Sequence, residues 1–265
     1  MANIAIQFFS TSLCGFTSVQ VILPNDVPPQ MRQGNPHYQR PAKTLYLLHG
    51  YSGAEHDWMM NTQIGQLAGQ YNLAVVCPRG GNNFYLDGPE TGRQYATYVG
   101  QELPAYISNT FGLSANREDV FIGGFSMGGF GAIHTALAYP EQFSKVLSFS
   151  AALIHHNVET MKPDSFDPIA NYAYYRMVFG EPEALSQSPN NPEFLLKQLL
   201  AQGKQIPDIF QCIGTEDFLY GENQIFRQFL TEQEVPFVYQ ETPGVHDFVT
   251  VGKFLEQGLK FLTEG

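Results

Sequence analysis

The segment Val120-Phe121-Ile122-Gly123-Gly124-Phe125-Ser126-Met127-Gly128-Gly129-Phe130-Gly131 places a G-x-S-x-G pattern between an apolar run and a segment of helical periodicity. A strand, a sharp turn and a helix in this order form a nucleophile elbow, which presents a serine at the end of a strand. Glycines two positions before and after Ser126 let the strand and the helix approach each other. The pattern predicts that Ser126 is a nucleophile; the alternative is a glycine-rich junction with an uninvolved serine.

On both sides of this segment, apolar runs alternate with stretches of helical periodicity. The strand runs are 4–9, 16–23, 44–48, 73–77, 120–123, 145–150, 208–213 and 236–240, and the helical stretches are 62–71, 94–111, 128–139, 193–202, 221–234 and 248–262. Such alternation indicates βαβ units. We therefore predict an α/β fold with a mostly parallel central sheet flanked by helices. A turn-prone segment between the first two runs predicts an antiparallel N-terminal pair of strands.

One long connection interrupts this alternation. Residues 152–205 are rich in aromatic side chains and show some helical periodicity, but no convincing strand. The position indicates a cap over the C-terminal edge of the sheet, where open α/β folds bind ligands. Since no stretch has the composition of a linker, residues 1–265 are predicted to form a single domain.

A serine hydroxyl becomes a nucleophile when a neighbouring base accepts its proton. His246 lies between the last predicted strand and the last predicted helix, so its loop should emerge at the same sheet edge as Ser126. The acid is expected between the two in sequence, and Asp217 is predicted, with Glu216 as the alternative. His246 must be neutral to act as the base, so activity should fall at acidic pH. In the competing interpretation, His246 is a surface or helix-capping residue, and Asp217 supplies negative charge at the N-terminus of the following helix.

Backbone N–H groups are predicted to bind the oxyanion of the tetrahedral intermediate. One donor follows the nucleophile, at Met127, and the other lies in the loop after the strand 44–48, at Tyr51. Further side chains are predicted to contact substrate, although each would also suit a core position: Trp58, Phe84, Tyr85 and His155.

Composition excludes several classes of protein. With 14 Lys and Arg against 25 Asp and Glu, the net charge is −11, which disfavours nucleic acid and anionic membranes as partners. No apolar run is long enough to span a bilayer, and the N-terminus lacks the features of a signal peptide, which predicts a cytoplasmic protein. No sequence motif indicates a metal or a cofactor, so none is expected. Three dispersed cysteines are predicted to be buried and unpaired: Cys14, Cys77 and Cys212.

The chain resembles the esterase D-like branch of the α/β-hydrolase superfamily, and within it the bacterial tributyrin-type carboxylesterases. The resemblance extends from about residue 3 to residue 260 and rests on Leu47-Leu48-His49-Gly50 with Trp58, Gly123-Gly124-Phe125-Ser126-Met127-Gly128-Gly129, Gly214-Thr215-Glu216-Asp217-Phe218 and Gly244-Val245-His246-Asp247. It implies an α/β-hydrolase fold and a Ser126–Asp217–His246 triad. It also implies a small-molecule ester as substrate, with short acyl groups released through an acyl-enzyme, and frequent homo-oligomers.

Other activities occur in the same branch. S-formylglutathione hydrolases usually carry a cysteine after the oxyanion turn, whereas Ser52-Gly53-Ala54-Glu55-His56-Asp57-Trp58 has none, which counts against a glutathione thioester. Feruloyl and acetyl-carbohydrate esterases remain alternatives. A non-catalytic scaffold of this fold would lack a triad member, and a peptidase of this fold usually carries an additional domain.

Overall fold

One sheet runs through the centre of the computed structural model, which describes residues 1–264. Its strands are β1 (Ala2–Ser10), β2 (Gly15–Leu23), β3 (Lys43–Leu48), β4 (Leu73–Pro78), β5 (Val120–Phe125), β6 (Lys145–Phe149), β7 (Asp208–Gly214) and β8 (Phe237–Thr242). Their spatial order is β1-β2-β4-β3-β5-β6-β7-β8. β2 pairs antiparallel with β1 and β4, and every other pairing is parallel. The mostly parallel sheet with an antiparallel N-terminal pair confirms the predicted fold class.

Helices cover both faces of this sheet, which is why β4 and β5 are buried along their whole length. The helices are α1 (Pro29–Arg32), α2 (Asp57–Asn61), α3 (Ile64–Tyr71), α4 (Tyr95–Thr97), α5 (Leu103–Phe111), α6 (Met127–Ala138), α7 (His155–Glu159), α8 (Tyr172–Phe179), α9 (Pro192–Ala201), α10 (Tyr220–Glu232) and α11 (Phe248–Glu264). A π-helical turn, Tyr98–Glu102, joins α4 to α5, and 3₁₀ turns are formed by Pro24–Asp26, Pro36–Gln39, Arg117–Asp119 and Pro182–Gln187. Within residues 1–264, no helix has the length and apolarity that a bilayer crossing requires.

Two apolar cores lie on opposite sides of the sheet. α3 and α11 pack on one face, where Ile64 and Leu255 belong to the same buried cluster. α5, α6 and α10 pack on the other face, with Ile107, Phe130 and Phe226 in its cluster. Because the strands are packed on both faces, the loops at their carboxyl ends have defined positions.

The long connection between β6 and β7 carries α7, α8, the 3₁₀ turn Pro182–Gln187 and α9. We call residues 152–205 the cap segment. As the sequence indicated, the described cap segment contains helices and no strand.

The cysteines are free, and two of them are buried as predicted. Cys77 in β4 and Cys212 in β7 are enclosed, but Cys14 is exposed. The prediction for Cys14 was wrong because β1 ends at Ser10. Cys14 therefore lies in the turn before β2, where its φ is +49°.

Candidate active site

Ser126 occupies a sharp turn between β5 and α6. Its φ of +58° and ψ of −119° are strained for a residue with a side chain. A Cβ at Gly124 would collide with the Gly128 carbonyl, and a Cβ at Gly128 would collide with the Leu48 carbonyl. The Ser126 N–H donates to the Phe149 carbonyl over 3.0 Å. The glycines therefore permit the close approach of strand and helix, and the sheet holds the strained turn in place.

Three loops at one sheet edge bring Ser126, His246 and Asp217 into a hydrogen-bonded relay. His246 Nε2 lies 2.9 Å from Ser126 Oγ, and His246 Nδ1 lies 2.8 Å from Asp217 Oδ2. When Nδ1–H donates to the carboxylate, Nε2 is free to accept the serine proton. The Asp217 side chain is fully buried, while 16% of the His246 side chain is exposed. The second Asp217 oxygen accepts the Leu219 N–H over 2.8 Å.

Two phenylalanines hold the His246 ring. Phe125 stacks on it with a centroid distance of 4.6 Å, and Phe218 lies 4.5 Å away on a tilted plane. Neither residue has a role in the prediction from sequence. The signal was present, since Phe125 is the apolar x of G-x-S-x-G and Phe218 directly follows Asp217.

Glu216, the alternative acid, does not contact His246. It is exposed, its carboxylate accepts the Gly244 N–H, and its own N–H donates to the Gly244 carbonyl over 3.0 Å. These bonds connect the loop after β7 to the loop after β8. Glu216 thus braces the loop that carries His246, while Asp217 reaches the imidazole.

The loop after β3 approaches Ser126 closely: a Cβ on Gly50 would lie 3.4 Å from the Ser126 Cβ. His49 fixes this loop, because Nε2 accepts the Gly80 N–H over 2.9 Å and Nδ1 therefore donates to the Gly50 carbonyl over 2.7 Å. Burial lowers the pKa of His49, so the ring is neutral, as this pattern requires. Since C=O and N–H of a trans peptide point in opposite directions, the Tyr51 N–H faces away from His49.

Met127, the other predicted oxyanion donor, is the first residue of α6. The N–H groups of the first turn have no partner within a helix, and the helix dipole adds positive potential there. This N–H therefore lies beside Ser126 and is available to a developing oxyanion.

A cavity of about 510 Å³ opens above Ser126 and His246. Its walls are largely apolar and come from the cap segment, α10, the loop after β4 and the loop after β3, which we call the oxyanion loop. They include Tyr51, Phe84, Ile154, Val158, Met161 and Ile169. Polar groups also reach the walls: Asn157 donates to Glu222 over 2.9 Å, and the Tyr175 hydroxyl donates to Asp167 over 3.0 Å.

Of the predicted substrate contacts, only Phe84 lies in the cavity wall. Trp58 is fully buried among Phe149 and Phe248, and its indole N–H donates to the Leu48 carbonyl over 3.0 Å. It is a core residue because α2 packs it into the apolar cluster to which α3 and α11 also contribute.

Tyr85 and His155 are likewise absent from the cavity wall. The buried Tyr85 hydroxyl donates to the His49 carbonyl over 3.1 Å, so Tyr85 supports the oxyanion loop from behind. His155 is buried near Phe130, facing α9 rather than the cavity. These placements correct the sequence interpretation for both residues.

An elbow serine joined to a histidine and a buried acid on this sheet defines a serine hydrolase of the α/β-hydrolase fold. The structure of FphF, a fluorophosphonate-binding serine hydrolase of Staphylococcus aureus, superimposes with a TM-score of 0.84 at 29% identity, over 99% of this chain and 98% of that one. The model of the Esterase family matches residues 10–253, and the chain belongs to that family.

Two further relatives cover nearly the whole chain. An acetyl esterase of Caldicellulosiruptor saccharolyticus is 36% identical over 264 residues, which span 100% of this chain and 99% of that protein. The S-formylglutathione hydrolase FrmB of Staphylococcus aureus has a TM-score of 0.81 at 29% identity, over 99% of this chain and 98% of that one. The chain is therefore a carboxylic ester hydrolase, as the sequence motifs indicated.

Proposed function

We propose that this serine carboxylesterase hydrolyses acetyl and other short-chain acyl esters through a triad of Ser126, His246 and Asp217. The observation that carries the proposal is the hydrogen-bonded relay at the floor of an apolar cavity. The preference for short acyl groups is supported by the acetyl esterase that shares 36% of its residues with this chain.

Acylation begins when Ser126 Oγ attacks the ester carbonyl carbon and its proton passes to His246 Nε2. The C=O π electrons move to oxygen, and the Met127 and Tyr51 N–H groups donate to the resulting oxyanion. Asp217 stabilises the imidazolium and keeps the ring oriented. Collapse of the tetrahedral intermediate breaks the bond to the alcohol oxygen, which takes the proton from His246 and leaves an acyl-serine.

Deacylation repeats these steps with water as the nucleophile. His246 accepts a proton from water, the hydroxide attacks the acyl carbonyl, and the same N–H groups bind the second oxyanion. Ser126 Oγ then leaves and is reprotonated by His246, and the carboxylic acid is released. Both halves require neutral imidazole at the start, so hydrolysis should slow toward acidic pH.

We propose further that residues 1–265 form one catalytic domain in which the cap segment shapes the substrate pocket. Ile154, Val158 and Met161 of the cap segment line the same cavity as Phe84 and Tyr51. This enclosure suits a compact acyl group. We propose also that nucleic acid is not a partner, because the net charge of −11 disfavours binding to a phosphate backbone. The three free cysteines support a location in the reducing cytoplasm.

Initial rates on p-nitrophenyl esters from acetate to octanoate test this function, with wild type, Ser126→Ala and Ser114→Ala compared. Ser114 lies in the loop before β5, away from the cavity, and serves as the matched serine control. We expect turnover of short esters and a loss of kcat of about 10⁶-fold in Ser126→Ala alone. An inactive wild type, or a Ser126→Ala enzyme that keeps its rate, would refute the proposal.

Thioester hydrolysis is a second candidate, favoured by the likeness to S-formylglutathione hydrolase FrmB over 99% of this chain. The same relay would attack a thioester carbonyl, with a thiol as leaving group. Measuring kcat/KM for S-formylglutathione and p-nitrophenyl acetate on one preparation separates the two. We expect the oxygen ester to be preferred; a preference for the thioester would reverse the assignment while leaving the triad intact.

A further inference from the structure

We propose that His155, His156 and Glu193 bind one divalent transition-metal ion of the zinc class, which joins α7 to α9. One ligand atom from each residue lies within 4.8 Å of the other two. Glu193 Oε1 is 2.8 Å from His156 Nε2 and 3.3 Å from His155 Nε2. The 3.3 Å separation matches that of two ligand atoms on one tetrahedral zinc ion, about 2.0 Å from each, and the 2.8 Å contact would lengthen by about 0.5 Å on binding.

His155 supplies a second, independent observation. Only 1% of its side chain is exposed, its Nδ1 has no hydrogen-bond partner, and its Nε2 lies 3.3 Å from Glu193 Oε1 without forming a well-aligned hydrogen bond. A buried polar group without a partner costs free energy. A cation between Nε2 and the Glu193 carboxylate would satisfy both groups.

Glu193 is held in place as an anionic ligand. About 10% of its side chain is exposed, and its carboxylate faces the two imidazoles. Its N–H donates over 2.8 Å to the side chain of Asn191, which caps the start of α9. Two imidazoles and one carboxylate form a ligand set that zinc prefers and that magnesium and calcium do not.

His156 leaves the site open on one side. About 41% of its side chain is exposed, so an ion can enter from solvent and keep a water molecule as a further ligand. The site shares no residue with the relay of Ser126, His246 and Asp217. Zinc binding can therefore be measured independently of esterase activity.

The position of the site gives the ion a structural consequence. α7 begins at His155, and the neighbouring Ile154, Asn157 and Val158 line the active-site cavity. An ion shared between α7 and α9 would restrict the movement of this wall relative to the rest of the cap segment.

Calorimetric titration of chelator-treated protein with ZnCl₂ tests the proposal. Wild type is compared with His156→Gln and with the control His56→Gln. His56 is also a half-exposed histidine near a buried glutamate, 4.0 Å from Glu55, but it has no second imidazole beside it. We expect one tight equivalent of zinc in wild type and His56→Gln, and affinity weakened at least about tenfold in His156→Gln.

Melting curves provide the second readout and show that each variant folds. Added zinc should raise the Tm of wild type and of His56→Gln, with a much smaller effect on His156→Gln. Absence of saturable zinc binding in wild type would overturn the proposal. Equal affinity in wild type and His156→Gln would also overturn it, because zinc would then be binding elsewhere, for example at His246.

Discussion

The carboxyl edge of the sheet and the cap segment border the same cavity, but they are built differently. At the sheet edge, Ser126 directly follows β5, and Asp217 and His246 lie in the short loops after β7 and β8. Backbone hydrogen bonds hold Ser126 to Phe149 and Asp217 to Gly214. The cap segment consists of short helices and loops, with Phe166 90% exposed and Ile169 54% exposed. The proposed catalytic residues therefore lie at the ends of regular elements, whereas the proposed substrate-selecting walls lie on irregular ones.

After replacement of Ser126 itself, the largest effect is expected at the sheet edge, from Asp217→Asn. An amide there cannot hold the required tautomer of His246 or stabilise the imidazolium, so kcat should fall by about 10⁴-fold. Glu216→Gln is the matched control, because Glu216 contacts Gly244 and not His246. Rates on p-nitrophenyl acetate measure both variants. If Glu216→Gln were the more damaging, the acid would have been misassigned.

A hydrogen bond from His134 connects α6 to the cap segment, and the burial of its imidazole predicts that stability depends on pH. Its Nε2–H donates over 2.9 Å to the Pro189 carbonyl of the cap segment, and burial lowers its pKa to about 4. The unfolded chain, with an ordinary histidine pKa of about 6.5, binds a proton first. Stability from this group is therefore present above pH 6.5 and is lost as pH falls toward 4, by about 3 kcal/mol.

Urea unfolding of wild type and His134→Gln at pH 7 and pH 4 measures this linkage. The variant has no imidazole to protonate, so its free energy of unfolding should fall by about 3 kcal/mol less than that of wild type over this range. Parallel losses in the two proteins would show that His134 does not couple α6 to the cap segment in this way.

A smaller effect, again on kcat, is expected at the oxyanion loop. His49→Gln removes the Nδ1–H bond to the Gly50 carbonyl, which sets the direction of the Tyr51 N–H, and should lower kcat up to about 10²-fold with little change in KM. His49→Asn keeps an amide near the Nδ1 position and should retain more activity. Steady-state kinetics, with melting curves to check folding, distinguish the two. Equal losses would argue against orientation by Nδ1.

The smallest effect belongs to the cap segment. Met161→Ala enlarges the cavity wall and should change the ratio of kcat/KM for butanoate and acetate esters by up to about tenfold. Met177→Ala is the control, since Met177 is exposed on α8 and outside this cavity. A changed ratio in the control, or a lowered kcat on every ester in Met161→Ala, would contradict the proposal. The proposal is that the sheet edge determines reactivity and the cap segment determines substrate selection.

Much of the sheet edge could be predicted because its signals are local. The buried strands appear as continuous apolar runs. The glycines around Ser126 are recognisable because a Cβ at Gly124 or Gly128 would collide with backbone atoms of the neighbouring elements. Asp217 and His246 were found because a parallel sheet brings the ends of its strands to one edge. Neighbouring acids are harder to separate: only the structure shows that Glu216 turns toward Gly244.

The cap segment and the aromatic residues were predicted less well. An aromatic side chain after a strand suits either a cavity or a core, and the choice depends on backbone direction. Phe84 and Tyr85 show this clearly: both have positive φ, yet one side chain lines the cavity and the other supports His49. The proximity of His155 and His156 to Glu193 depends on how α7 packs near α9, which no local pattern encodes.

The left-handed backbone of Ser126 has a thermodynamic consequence for the whole enzyme. A residue with a side chain in such a conformation loses about 1–3 kcal/mol of folding free energy, whereas glycine adopts it freely. An inactive Ser126→Gly protein should therefore be more stable than the active one. Natural selection for turnover and laboratory selection for heat resistance act in opposite directions at this residue, so thermostable versions have to be sought elsewhere in the chain.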